Sequence, residues 1–370
     1  MELKVQAILQ RFFSLRDTDV HKRHFEKLLC DYLIIPGKNG PRWLVPSNPK
    51  FSINVLPVWK PYSISSKIKW FLILMLYFLR LNYFLPIFKK IQSNSILLKH
   101  PNSDRGVVPV IYIGTPGKQQ KAVATLVDYI SLKPLAVMKV ALQNDAFSSI
   151  LKEAETLNKL SLISSLNVPK LIKIDYEGRQ TWQTYLQGSL SGKRLLKRHI
   201  DWLLKLPKPS NKTTVAEYKQ KLIFFLDSDD ICITTGKKKK LWSIVNNINI
   251  DAYIPLTLVH GDFAPWNIKF HSNKELVVID WEDAEFGGLP LWDLCHYFFI
   301  QEHLLGSINS IKNLFSNSLI DTYVDSFNVG ELKKCLVMFY MLEMILDHDK
   351  NVTTDYKEFL YNKMLLVEKR

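Results

Sequence analysis

The segment "LVHGDFAPWNIKF", Leu258 to Phe270, contains polar side chains of the types that carry out acid–base and metal chemistry. Asn267 stands five positions after Asp262, and Asp280 follows thirteen residues after Asn267 in "ELVVIDWEDAEFGG". Apolar runs flank all three residues, and unpaired charge beside apolar strands is costly. These side chains therefore need partners, and a divalent cation is one such partner because Mg²⁺ prefers oxygen ligands.

The order of these residues fits the transfer of a phosphoryl group to an alcohol. That reaction requires Mg²⁺ on the nucleotide phosphates, ligands that hold the metal, and a carboxylate that orients and deprotonates the attacking hydroxyl. A catalytic Asp, an Asn five positions later and an Asp after the next strand supply this set. Asp262, Asn267 and Asp280 have that order, and the hairpin predicted for "NIKFHSNKELVVID" would bring Asp280 back beside Asn267.

The two motifs also resemble a known family. "HGDFAPWN" followed by "VVIDWEDAEFGGLPLWDL" is similar to the aminoglycoside phosphotransferase and choline kinase family, which shares the protein-kinase-like fold. An H-G-D triplet alone would be weak, but H-G-D-x-x-x-x-N, a strand, I-D-W-E and a later W-D form a specific pattern. The resemblance extends from Val107 to about residue 345 and fades at both ends.

The resemblance implies a role for each matching residue. It makes Asp262 the catalytic base and makes Asn267 and Asp280 the Mg²⁺ ligands. His260 would brace the loop, and Asp293 in "LPLWDL" would be a buried acid that opens a helix and accepts hydrogen bonds from the loop. Asp and Asn also form caps and turns, so each residue taken singly has a purely structural explanation.

A lysine for the α- and β-phosphates is expected in the smaller lobe. "LAVMKV" ends a predicted strand with Lys139, and a helix with a partner glutamate follows. Glu153 begins "EAETLNKL", with leucines four and seven residues later, which puts it beside the apolar stripe. Glu155 is the alternative partner.

The nucleotide contacts of the small lobe are less specific. "YIGTPGKQQKAV" places Gly114 and Gly117 between two strands, where backbone N–H groups would approach phosphates, although a plain hairpin turn has the same pattern. The resemblance places the hinge at "TWQTYLQGS", so backbone groups near Gln183 to Tyr185 would hold the adenine edge. The motifs do not distinguish ATP from GTP.

Departures from protein kinases indicate the acceptor. Gly261 follows His260 where protein kinases have an arginine, and about ten residues separate Asp280 from the helix at Leu291, too few for a peptide-binding activation segment. The acceptor is therefore expected to be a small molecule or a lipid-linked sugar. Acidic residues near the expected acceptor site would either meet a cationic acceptor or be solvated loop charges: Glu282, Asp283 and Glu285.

The elements around these motifs predict an α+β protein with a two-lobed protein-kinase-like fold. We expect an N-terminal extension over 1–104, an N-lobe with a small antiparallel sheet over 105–188, and a mainly helical C-lobe over 189–370. Strands are expected in "GVVPVIYIG", "KAVATLVD", "PLAVMKVAL", "VPKLIKIDYEG" and "RQTWQTYLQG", with a helix in "DAFSSILKEAETLNKLSLI".

Composition and charge limit the partners. The 370 residues are 47% apolar and 23% charged, the balance of a folded protein, and the net charge is +14. This surplus favours an anionic partner such as a nucleotide phosphate or an acidic lipid surface. No nucleic-acid-binding motif is present, so no nucleic-acid partner is expected. The surplus also fits a soluble protein from a basic proteome.

Cellular location is indicated by the cysteines and the N-terminus. Four widely spaced cysteines predict reduced thiols, and "MELKVQAILQRFF" lacks the features of a secretory signal. We expect a cytoplasmic protein, peripheral at the inner membrane face if a membrane segment is present.

An apolar segment over residues 67–90, "KIKWFLILMLYFLRLNYFLPIFKK", has two interpretations. Its unbroken apolar run, Trp70 to Leu79, is too short to cross a bilayer. One interpretation is a helix buried against the rest of the protein. The other is a helix lying in the membrane interface, with Trp70, Tyr77 and Tyr83 near the headgroups and lysines at both ends facing acidic lipid.

Taken together, the sequence predicts an ATP- and Mg²⁺-dependent phosphotransferase acting on a hydroxyl of a non-protein acceptor. A pseudokinase-like binding module is the second hypothesis, favoured by the weak glycine loop and disfavoured by the complete set of Lys139, Asp262, Asn267 and Asp280. A metal-dependent hydrolase would need further His or Asp ligands at a spacing that the sequence does not supply.

Overall fold

A computed structural model describes residues 2–13, 31–37, 40–62, 64–81, 89–91, 98–102, 106–163, 165–228, 233–273, 275–306, 308–346 and 352–370. Over these ranges the chain forms two units, Met1–Ser189 and Leu190–Arg370. The first is built on an antiparallel sheet and the second is mainly helical, which confirms the predicted α+β class with a kinase-like set of elements.

The first unit begins with a helix and a strand hairpin. These elements are α1 (Glu2–Phe13), β1 (Tyr32–Gly37), β2 (Gly40–Pro46), α2 (Ile64–Phe78), β3 (Lys89–Ile91) and β4 (Leu98–Lys99). The boundary expected at residue 104 lies outside the described residues. The strands of this N-terminal region belong to the same sheet as the strands that follow, since β2 pairs with the next strand through Leu44 and Ile111.

The remaining elements of the first unit match the strand and helix pattern expected from the sequence. They are β5 (Gly106–Ile113), β6 (Lys121–Asp128), β7 (Pro134–Ala141), α3 (Asn144–Leu160), β8 (Leu171–Asp175) and β9 (Gln180–Thr184). Within the described ranges the sheet has nine strands in the order β3-β1-β2-β5-β6-β7-β9-β8, with β4 paired to β5. All of these pairs are antiparallel.

Helices cover both faces of this sheet. Alternate residues of β1 point to opposite faces, as strand geometry requires. Ile34 packs with Val5, Ile8 and Leu9 of α1, whereas Leu33 and Ile35 pack with Trp70 and Tyr77 of α2. The interpretation of α2 as a helix packed against the protein is therefore correct for one side of the helix. Tyr83 lies outside the described residues.

The second unit combines short hairpins with a helical body. Strand β10 (Ser189–Leu190) falls at the division, and the unit continues with α4 (Lys197–Leu203), β11 (Lys212–Thr214), α5 (Val215–Asp227), α6 (Thr235–Asn247), β12 (Tyr253–Pro255), β13 (Thr257–Val259), β14 (Ile268–Phe270), β15 (Leu276–Val278) and β16 (Glu285–Gly288). Antiparallel pairs form between β11 and β12, β13 and β16, and β14 and β15.

The helical body supports the loops between these strands. It contains α7 (Trp292–Leu305), α8 (Ser310–Ser316), α9 (Ser318–Asp325), α10 (Lys333–Leu346) and α11 (Thr354–Glu368). Helix α10 is buried from Cys335 to Leu346, and all of these residues except Glu343 are apolar, as expected of a central helix. Cys295 and Cys335 are buried free thiols. The other two cysteines lie outside the described residues.

None of the helices in the described ranges has both the length and the apolar character needed to cross a bilayer.

Candidate active site

The loop between β13 and β14 holds the Asp262 carboxylate at both oxygens. Oδ2 accepts a hydrogen bond from the amide nitrogen of Asn267 at 2.9 Å, and Oδ1 lies 2.9 Å from Nε2 of His296. The Asn267 nitrogen also donates to the Asp262 carbonyl at 3.0 Å. The carboxylate is thus fixed in orientation while its side chain remains 30% exposed, so an incoming group can reach it.

The Asn267 amide presents its oxygen rather than its nitrogen to a ligand. Both hydrogen bonds of the nitrogen go to Asp262, and these bonds distinguish the nitrogen end of the amide from the oxygen end. Asn267 is buried, so its oxygen has a defined position. An amide oxygen is a ligand type that Mg²⁺ accepts.

Asp280 lies next to Asn267 through the hairpin predicted from the sequence. Ile268 pairs with Val278 in the β14–β15 ladder, and the N–H of Ile279 donates to the Asn267 carbonyl at 3.0 Å. Asp280 then adopts a left-handed backbone with φ 71°, which ends the strand. Asp is one of the few residues that visit this conformation readily. Within the described ranges, no group of three or more His, Cys, Asp or Glu side chains could hold a metal, so a cation here would have few protein ligands.

His260 connects the two loops. Its Nδ1 lies 3.3 Å from the Asp262 N–H and its Nε2 lies 3.1 Å from the Ile279 carbonyl. A proton on Nε2 and a lone pair on Nδ1 satisfy both contacts, because Nδ1 then accepts and Nε2 donates. The ring also packs edge-on against Trp281 at 4.6 Å. This geometry agrees with the bracing role that the family resemblance implied.

Asp293, in the first turn of α7, holds the loop backbone. Its two oxygens accept hydrogen bonds from the N–H groups of His260 at 2.8 Å and Gly261 at 3.0 Å. Burial raises the pKa of this carboxyl, whereas His260 and the two N–H groups favour the charged form. Gly261 has φ 84°, and a Cβ there would come within 2.3 Å of the Asp283 carbonyl, so the sharp turn requires glycine.

Sequence reasoning missed His296. It follows Asp293 by one helical turn on α7, and its Nδ1 lies 3.1 Å from the Tyr340 hydroxyl, which lies 3.0 Å from the Tyr356 hydroxyl. Burial raises the pKa of both tyrosines, so both stay protonated. The only sequence signal was the i+3 spacing from Asp293, which does not show that α7 passes beside Asp262.

Two further buried bases lie in the second unit. Burial lowers the pKa of Lys269, two residues after Asn267, to about 8. Burial also lowers the pKa of His199 to about 4, with a smaller lowering by Arg198 and an opposing hydrogen bond at Leu196.

In the first unit, Lys139 on β7 pairs with Glu153 on α3. The Lys139 Nζ lies 2.6 Å from Oε2 of Glu153, and the two side chains are 5% and 2% exposed. Glu155, the alternative partner, is exposed. The leucine phasing that favoured Glu153 therefore indicated the correct face of the helix.

The glycine loop between β5 and β6 differs in detail from the expectation. The Gly114 N–H donates to the Lys121 carbonyl at 2.8 Å, so this donor is used within the hairpin and is not offered to a phosphate. A Cβ at Gly114 would meet the Lys121 carbonyl at 2.8 Å, which explains the glycine by the close approach of the strands. Gly117 accepts from the Gln120 N–H at 3.1 Å.

The expected adenine hinge also uses its donors locally. Gln183 lies inside β9, and the N–H groups of Thr184 and Tyr185 donate to Lys170 and Leu135 at 2.9 and 3.1 Å. These two N–H groups are therefore not available to an adenine edge. The Oε1 atom of Gln183 is buried and finds no hydrogen-bond partner in the described part of the chain.

The acidic residues after Asp280 lie just before strand β16 or at its first position. Glu285 pairs with Val259 across the β13–β16 ladder. Glu282 and Glu285 are partly buried and Asp283 is exposed. This distribution fits both of the interpretations that the sequence left open.

Comparison with protein families gives a match over part of the chain. A profile of the phosphotransferase enzyme family matches residues 239–308, which include Asp262, Asn267, Asp280 and Asp293. The match confirms, over these residues, the resemblance inferred from the two motifs. A comparison with curated proteins finds no match.

Solved structures with a similar course of the chain include three phosphotransferases. A macrolide 2'-phosphotransferase type I is 12% identical, with 70% of this chain and 92% of that chain covered and a TM-score of 0.47. The ADP-bound aminoglycoside phosphotransferase APH(2'')-Ib is 14% identical, with 78% and 96% covered and a TM-score of 0.43. Choline kinase LicA from Streptococcus pneumoniae is 15% identical, with 71% and 94% covered and a TM-score of 0.45.

Proposed function

We propose that this chain is an ATP- and Mg²⁺-dependent phosphotransferase that phosphorylates a hydroxyl of a small-molecule, glycan or lipid-linked acceptor. In this proposal Asp262 is the catalytic base, and Asn267 and Asp280 are the metal ligands. Lys139, held by Glu153, contacts the nucleotide phosphates. The proposed location is the cytoplasm, peripheral at the inner face of the membrane.

The observation that carries the proposal is the arrangement of Asp262, Asn267 and the backbone of Ile279. One amide side chain fixes the carboxylate through its nitrogen and keeps its oxygen for a cation. The same residue accepts from the N–H that precedes Asp280. A side chain that only capped the loop would not need its amide nitrogen bound to Asp262 and its oxygen kept for a cation.

The donor set fits magnesium, because it consists of a carboxylate and an amide oxygen. When bound, Mg²⁺ would neutralise charge on the nucleotide phosphates. Asp262 would accept the proton of the acceptor hydroxyl as the new O–P bond forms and the bond to the leaving ADP breaks. His296 and Asn267 would keep the carboxylate aligned during that step, since each holds one of its oxygens.

The test of this proposal is ATP-dependent mass gain in a panel of alcohols, amino sugars and glycan precursors. We expect one class to gain a phosphate with wild-type protein, and Asp262→Asn to lower the rate by about 10² to 10⁴-fold while nucleotide binding persists. Asp251→Asn, an exposed acid in the same unit, is the matched control and should keep full activity. If Asp262→Asn transfers phosphate as fast as the control, the base is misassigned.

A second candidate function is a pseudokinase-like binding module. It is favoured by the donors of Gly114, Thr184 and Tyr185, which are used inside the sheet. Thermal unfolding with Mg²⁺ and ATP separates the two candidates. At a nucleotide concentration 100 times the dissociation constant, wild-type protein should gain about 2.7 kcal/mol, and Asp280→Ala should lose most of this gain. Equal stabilisation of both forms by ATP, independent of Mg²⁺, would support the binding module.

A further inference from the structure

Helix α2 is anchored to the first unit by one of its faces. The Tyr77 side chain is fully buried, and its hydroxyl donates to the Pro46 carbonyl at 2.7 Å and contacts the Ser52 hydroxyl at 3.0 Å. Trp70 is 8% exposed and packs against Trp43 at 5.7 Å. The helix therefore has a fixed orientation on the sheet, and its opposite face is held outward.

That outward face is a continuous apolar stripe. Four large side chains of α2, together with Leu79 directly after its last residue, are 38% to 66% exposed and lie on the same side: Ile68, Phe71, Leu72, Met75 and Leu79. From Ile68 to Leu79 the stripe runs for about 16 Å along the helix. A contiguous exposed patch of this kind marks an interaction surface, whereas single exposed apolar residues need no explanation.

Basic residues flank the stripe. At 100° per residue, Lys67 and Lys69 fall on opposite sides of it, and Lys69 is exposed. From residue 32 to residue 103 the sequence contains ten Lys and Arg residues and no Asp or Glu. An apolar face bordered by cations on both sides matches the chemistry of a bilayer surface that contains anionic lipids. Two copies of this face would instead bring like charges together.

We propose that the stripe of Ile68, Phe71, Leu72, Met75 and Leu79 inserts into the headgroup region of an anionic membrane, with Lys67 and Lys69 contacting lipid phosphates. The helix lies in the plane of the membrane and does not cross it, since α2 has only 15 residues. The protein is thereby held at the surface where lipid-linked acceptors are found. Membrane binding in this form does not depend on the phosphotransferase activity.

The experiment is co-sedimentation of the full chain with vesicles, without nucleotide or acceptor. We expect binding to vesicles of phosphatidylcholine mixed with phosphatidylglycerol, weaker binding to phosphatidylcholine alone, and a decrease with added salt. The double variant Phe71→Asp, Leu79→Asp should bind at least about 100-fold more weakly, because two large apolar side chains no longer insert. The control variant Ile130→Asp, Leu162→Asp removes two exposed apolar residues outside α2 and should bind as wild type.

Three results would overturn the proposal. If wild-type protein stays in the supernatant with the mixed vesicles, it does not bind the membrane and the proposal is wrong. A wild-type dimer that the Phe71→Asp, Leu79→Asp variant converts to a monomer would show that the stripe joins two copies. Unfolding of that variant would show that the stripe is covered within the protein. Lys69→Glu keeps all apolar contacts, and it should weaken binding to the mixed vesicles only.

Discussion

Glu153→Leu and Lys139→Met should each destabilise the β7–α3 region, and the double replacement should destabilise it by less than the sum of the two. The two charges lie 2.6 Å apart and are almost fully buried. Each single replacement removes one member of a buried ion pair and leaves the other member in the same low-dielectric surroundings. The double replacement Lys139→Met, Glu153→Leu removes both charges and keeps a similar volume.

The expected size follows from the distance and the burial. At 2.6 Å and an effective dielectric constant of about 20, the Coulomb attraction is about 6 kcal/mol, and desolvation of both charges offsets part of it. Breaking a buried pair from one side typically costs about 3–5 kcal/mol, and replacing both partners by apolar residues is often neutral. We therefore expect a coupling free energy of at least about 3 kcal/mol between the two positions.

Native-state hydrogen exchange measures this locally. Amides of β7 and α3 should exchange about 10² to 10³-fold faster in each single variant and near the wild-type rate in the double variant, since about 1.4 kcal/mol is a factor of ten. The control is Asp201→Asn, which breaks an exposed pair with Lys197 and should change exchange less than about threefold. All three pair variants should lose Mg²⁺-ATP stabilisation if Lys139 contacts phosphates.

Two results would refute this reasoning. Single variants that exchange no faster than the Asp201→Asn control would show that the pair contributes nothing. A double variant as unstable as the sum of the two singles would show that the two charges are not coupled. A stable double variant that no longer binds nucleotide would separate the structural role of the pair from its proposed role in binding.

The second unit gives two more predictions. The folded protein takes up a proton on His199 only near pH 4, whereas the unfolded chain does so near 6.5, so the stability present above pH 6.5 falls towards pH 4. In urea unfolding, the free energy of unfolding should fall by about 2 kcal/mol between pH 7 and pH 5. His199→Leu should remove most of this fall, whereas His271→Gln, at an exposed histidine, should leave it unchanged. His296→Leu should lower kcat by about 10 to 100-fold with little change in the KM for nucleotide. His296→Gln, which keeps a donor for Asp262, should recover part of the lost kcat. Equal activity of the wild type and both variants would contradict the positioning role.

Local patterns in the sequence were sufficient to predict much of the site. The spacing of Asp262 and Asn267 and the short hairpin to Asp280 depend on contacts between near neighbours, so the order of residue types determines the geometry. Glu153 could be preferred over Glu155 because helical periodicity tells which side of α3 faces inward. Strand-like apolar runs bounded by turn residues predicted β5 to β9 in the same way.

Other features depend on long-range packing that the sequence does not encode locally. The position of His296 beside Asp262 is set by where α7 lies against the loop, and two of the expected nucleotide donors are used by strand pairs far apart in sequence. Helix α2 is apolar on nearly all sides, so its pattern could not tell the buried face from the exposed one. The pairing of β2 with β5 joins residues separated by a long stretch of chain, including α2.

That pairing has a consequence for work with shortened versions of the protein. Strand β2 covers one side of β5, and Arg42 reaches from β2 to the Ile113 carbonyl at 3.2 Å, next to the glycine loop. A version trimmed to begin at Val107, where the family resemblance begins, would leave β5 as a long apolar edge strand with unpaired backbone groups. Such an edge invites aggregation through strand addition. Low yield of a trimmed protein would then reflect a missing neighbour strand rather than a defect in the catalytic loop.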